Sequence, residues 1–153
     1  MRQCVLTVVF ALGIDSHTLH AQLDTRAHRA MGFDQDRTVH HFVLRTDGGI
    51  ISVEVKDSSD DASRDAIRRH IRRIASDFEA GRFDAPLETH GEEPPGVPMM
   101  RALRSSIRYT VEQTPGGARV RIASSNNEVV AAIHDFLRYQ IREHHTGDST
   151  ESP

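Results

Sequence analysis

The sequence is poor in several things. It has one cysteine, no tryptophan, and only 5% aromatic residues among 153. The cysteine, Cys4, sits in the first apolar run, so the rest of the chain holds no disulfide, no cysteine nucleophile and no thiolate metal ligand. With so few rings, a core must rest on Ile, Val, Leu and a few Phe. The formal charge is -3, without the basic excess of nucleic-acid binders. No apolar run approaches the roughly 20 residues of a membrane-spanning helix. G-x-S-x-G, P-loop, G-x-G-x-x-G and HExxH patterns are absent. A small enzyme of unknown class is therefore only a third reading, with no catalytic residue to name.

What the sequence does have is histidine, ten in all. Imidazole is the commonest metal ligand, and it titrates near neutral pH.

The chain opens with a charge at Arg2, an apolar run from Cys4 to Ile14, and a polar stretch ending at Ala21. That order is the one a secretory signal follows. We expect a signal over 1–21, a periplasmic or secreted product, and no membrane segment after cleavage. The competing reading makes Val5 to Phe10 a first strand. An N-terminal segment 22–38 is expected next, with a short helix at Thr25 to Met31, then one domain over 39–147 and a flexible tail over 148–153.

Within the domain, VHHFVL (39–44) and IISVEV (50–55) alternate as strands around the Thr46 to Gly49 turn. His40, Phe42 and Leu44 share one face of the first strand; His41 and Val43 share the other. A polar loop with Asp60, Asp61 or Ser63 as cap leads into a helix over 64–80, whose buried stripe is Ile67, Ile71, Ile74 and Phe78. His70 lies on that stripe, while Arg68, Arg69, Arg72 and Arg73 lie opposite it and read as a solvated face, the alternative being an anion or nucleic-acid patch. Residues 82–98, rich in Pro and Gly, read as a long crossing loop that carries His90. A short helix over 99–105 and strands at 107–113 and 118–123 follow. The last helix is the strongest in the chain: Val130, Ile133, Leu137 and Ile141 keep one apolar face, with Asn126 or Asn127 as cap and Gly147 as the C′ residue. His134 and His144 adjoin that face.

Two units of strand, Gly-Gly hairpin, strand and helix emerge. The expected fold is α+β: a four-stranded antiparallel sheet of two ββα-like units, with both main helices on one face. Such a fold would let histidines converge. We expect an exported small binding module with a copper or zinc site drawn from His41, His70, His134, His90 and His144. Met99 and Met100 could add thioethers that favour cuprous copper. The alternative is a metal-free protein-interaction or envelope-stress module working through a protein partner. Nucleic acid is not an expected partner.

The stretches MGFDQDRTVHHF (31–42), IRRHI (67–71), PPGVP (94–98), IRYT (107–110) and HDFLRYQIREHHTGD (134–148), with the Gly48-Gly49 turn, resemble an uncharacterised family of small exported bacterial proteins. The likeness spans most of the expected mature chain. Members of that family are sometimes given the name aspartate carbamoyltransferase. The Ser-Thr-Arg-Thr-Arg and His-Pro motifs of that enzyme are absent here, and the resemblance carries over no catalytic or binding residue.

Overall fold

A computed structural model describes residues 31–153. The expected signal 1–21, the alternative strand at 5–10 and all but the last residue of the 25–31 helix lie outside the described residues.

Strands β1 (Thr38–Arg45) and β2 (Gly48–Val55) form a hairpin, as do β3 (Arg108–Thr114) and β4 (Gly117–Ala123). The hairpins join through β2 and β4, giving a wholly antiparallel sheet of order β1-β2-β4-β3. The alternation read from the sequence decides which side is buried: Phe42 and Leu44 of β1, Ile51 and Val53 of β2, and Val120 and Ile122 of β4 all face the core.

Helices α1 (Asp61–Glu79) and α4 (Asn127–Glu143) cover that face. Asp60 caps α1, its carboxylate accepting from Ser63 N–H at 3.1 Å; Asn126 caps α4, accepting from Glu128 N–H at 2.9 Å. Each helix leans over the other unit's strands, α1 over β3 and β4, α4 over β1 and β2. Ile67, Ile71, Ile133 and Leu137 thus share one core with both hairpins. Phe78 stacks on Phe83 at 4.4 Å and meets Phe136 edge-on at 5.8 Å.

Four details differ from expectation. Gly48 and Gly49 belong to β2, not to the turn, which is Thr46-Asp47. A Cβ at Gly48 would strike the carbonyl of Ile122, and its φ of +140° suits no L side chain. The 82–98 stretch is not one loop: α2 (Asp84–His90) occupies its first half and α3 (Val97–Ala102) begins at its end, with only 91–96 left as a connection. Pro86 and Pro98 sit in first turns, where a missing N–H costs nothing. Arg68 is not simply solvated; it donates to the carbonyls of Thr114 and Gly117 at 2.9 and 3.2 Å, fastening α1 to the second hairpin. The tail is tied down as well. Asp148 accepts from Phe42 N–H at 2.8 Å and from His41 Nδ1–H at 2.9 Å, and Arg138 Nε donates to the Thr150 carbonyl at 3.0 Å.

The two main helices end alike. After α1, Gly81 N–H bonds Phe78 O and Arg82 N–H bonds Asp77 O. After α4, His145 N–H bonds Arg142 O and Thr146 N–H bonds Ile141 O. Both are Schellman closures. The left-handed position is Gly81 in the first (φ 79°) but His145 in the second (φ 50°), where Gly147 was expected. His145 is the one non-glycine residue with positive φ among those described.

Candidate functional site: a histidine-lined cavity

Between β1, the middle of α1, the end of α2 and the end of α4 lies a cavity of about 50 Å³. Its floor is apolar: Phe42, Ile51, Val53, Ile71 and Phe136. Around it stand His40 from β1, His70 from α1, His90 from the last residue of α2 and His144 from the C-cap of α4.

The rings form a continuous array. His144 is flanked by His40, its ring centre 5.4 Å away and nearly parallel, and by His90 at 5.2 Å and nearly perpendicular. Phe33 sits between His40 and His70, at 5.9 and 5.3 Å. His90 also meets the edge of Tyr139 at 5.1 Å.

Their nitrogens are unequally engaged. His70 Nδ1 accepts from Arg73 Nη2 at 3.3 Å. His90 Nε2–H donates to Gln140 Oε1 at 3.0 Å, which leaves Nδ1 with the lone pair. The ring nitrogens of His40 and His144 have no hydrogen-bond partner among the described residues. The buried Nε2 of Gln140, on the same wall, has none either. Buried polar groups are normally satisfied, so the Gln140 amide stands out, while His40 and His144 are half-buried and reach the outer cleft.

Burial also keeps the imidazoles uncharged. Desolvation lowers His40 to about 4, helped by the positive fields of His70 and His41. It lowers His70 to about 4, with Arg73 adding to the effect. His144 falls to about 3, through burial first and then His40, His90 and His145. His90 is lowered by burial, against the opposing pull of Gln140, Glu143 and Glu92. At neutral pH the cavity thus presents neutral imidazoles, which carry lone pairs. No family model, curated protein or solved structure matches the chain. The site must be read from its own geometry.

Of the five histidines singled out in the sequence, the fold brings together His70, His90 and His144. His41 points to the opposite face of the sheet and pairs with Asp148. His134 is buried away from the cavity, its Nε2–H shared between the carbonyls of Arg45 at 2.9 Å and Gly48 at 3.0 Å, where it ties α4 to the first hairpin. The fourth member is His40, where the sequence pointed to its neighbour His41. The signal was present: His40 shares a strand face with Phe42 and Leu44, whose burial (3% and 2% exposed) sets the phase. Met99 and Met100 do not line the cavity; Met31 does. Among the described residues, no three His, Cys, Asp or Glu side chains already stand in the arrangement of a metal-ion site.

A second, polar cleft, lined by Gln35, Thr38, Lys56, His145 and Thr146, reaches His40 and His144 from outside. These two rings therefore form the wall between solvent and cavity.

Proposed function

We propose that the chain is a small exported binding module, periplasmic or secreted, whose histidine-lined cavity takes a transition-metal ion of the copper or zinc kind. The observation that carries this reading is the array His40–His144–His90. Its ring centres are spaced 5.4 and 5.2 Å apart. Two imidazoles that share one ion at about 2.1 Å have ring centres roughly 5 Å apart. Gln140 fixes the tautomer of His90 as second partners of ligating histidines commonly do. The signal-like start of the sequence supports export, and among the described residues no helix is long and apolar enough to cross a membrane.

The test is the metal content of untagged protein, expressed with its own leader and analysed by elemental mass spectrometry beside the His144→Ala variant. Near-stoichiometric copper or zinc in the parent and its loss in the variant are the expected results. Metal-free parent protein that shows no thermal shift with either ion would end the proposal.

A further inference from the structure

We infer that two copies of this chain pair antiparallel along the outer edge of β3, with Thr110 on the twofold axis. The inference does not depend on the metal reading. It concerns the opposite edge of the sheet from β1, the strand that bears His40.

The sheet has two free edges, β1 and β3. Asp148 occupies an amide of the first. Among the described residues, no strand pairs with the outer side of the second. β3 runs for 7 residues in unbroken register with β4. It has neither the proline nor the bulge that commonly blunts an edge. The direction of its free groups follows from its neighbours. Val55 N–H bonds Gly116 O, so Gly117 turns its own N–H and C=O toward Thr114. Alternation then points those of Tyr109, Val111 and Gln113 outward, away from β4. The same alternation on β1 points Phe42 N–H outward, where Asp148 meets it.

The side chains select the register. With Thr110 on the axis, Arg108 lies opposite the partner's Glu112, Tyr109 opposite the partner's Val111, and Thr110 opposite the partner's Thr110. Opposite charges, an aromatic with a β-branched residue, and Thr with Thr are the cross-strand pairs that stabilise antiparallel neighbours. Tyr109 and Val111 exchange the main-chain bonds. Arg108 and Glu112 fall at non-hydrogen-bonded positions, where facing side chains come closest. Centring the pair on Val111 instead loses both ion pairs, and centring it on Glu112 sets two carboxylates face to face.

The groups that this register needs are available. Arg108 is exposed and makes no ion pair among the described residues. Glu112 receives both bonds from Arg119 on one oxygen, Oε2, at 2.9 and 2.6 Å, so Oε1 is open to a second guanidinium. Tyr109 and Val111 sit half-buried at the rim of the core, and pairing would cover apolar surface they still expose. Charge on an edge strand commonly repels a second copy; the order Arg108-Thr110-Glu112 makes it attract one.

The experiment is sedimentation velocity of the full chain over a concentration series, with a chelator present. Expected is a monomer–dimer equilibrium. Arg108→Glu and Glu112→Arg should each weaken the dimer at least about tenfold, since each sets like charges opposite one another twice. An equal mixture of the two variants should dimerise again, because each then supplies the charge the other lacks. Val111→Pro removes an outward N–H and no bond within the sheet, and should leave a folded monomer by circular dichroism. Amide exchange of the parent needs no variant: Tyr109 and Val111 should become more protected as concentration rises. A parent that stays monomeric throughout would overturn the pairing and leave the edge to a strand from another protein. A dimer that survives in Arg108→Glu and Val111→Pro, or that forms without protecting Tyr109 and Val111, would place the contact elsewhere and overturn it too. A mixture that stays monomeric would overturn the register.

Discussion

Acidification should unfold the metal-free protein well before its carboxylates titrate. His40, His70 and His144 are held at about 4, 4 and 3, against about 6.5 in an unfolded chain. Because the folded values are depressed, the unfolded chain binds more protons between these limits. Stability is therefore complete above pH 6.5, declines as pH falls through the window, and levels off below about pH 4 for His40 and His70 and about pH 3 for His144. At pH 5 each fully desolvated ring would cost about 2 kcal/mol, from about 1.4 kcal/mol per unit over about 1.5 units. His70 is 6% exposed and takes that in full. His40 and His144 keep contact with water through the outer cleft and count for about half, which gives a total near 4 kcal/mol. That is a large part of the roughly 5–15 kcal/mol that holds a domain of this size together. Asp148 is also lowered from its usual value: burial, which raises it, is outweighed by its bonds to Phe42 N–H, His41 and Thr146, so its contribution is lost only below the ordinary carboxylate range, under the pH 5 at which the rings are tested. Urea unfolding followed by circular dichroism at pH 7.5, 6 and 5, with a chelator present, measures the effect. An unfolding midpoint that does not change between pH 7.5 and 5 would mean that the rings are hydrated and that the cavity is open water.

Two further outcomes follow from single side chains. His134→Ala removes the donor that serves two carbonyls at the hairpin, and should cost about 1–3 kcal/mol in urea unfolding; copper binding should be unchanged, since His134 is not in the array. His145→Gly places at the second Schellman closure the residue that already closes the first, and should raise stability by about 1 kcal/mol, read as a higher melting temperature.

Periodicity disclosed the scaffold. Alternation at Val39–Leu44 and Ile50–Val55, and the four-residue steps of Ile67–Ile71 and Ile133–Leu137–Ile141, are direct imprints of a sheet with helices on one face. The stretch 84–90 was hidden because Pro86 and the flanking glycines carry turn chemistry, although a proline is harmless in a first turn. The site was half legible. His70 and His144 lie on stripes that had to be inward. His134 lies on the same kind of stripe, but periodicity gives a face and not a partner, and its partners are carbonyls 86 and 89 residues away. The phase of β1, set by Phe42 and Leu44, turns His40 inward and His41 outward. Ring spacing and the unpartnered Gln140 amide arise only when distant segments meet, and no local pattern encodes them.

The Asp148 carboxylate on Phe42 N–H occupies an amide on the free edge of β1. A bare edge strand invites strand addition from another chain, so these last residues act as a guard against self-association. Clipping at Gly147 would uncover that amide and leave the β1 edge more open to strand addition. Tags and fusion partners therefore belong at the other end of the domain.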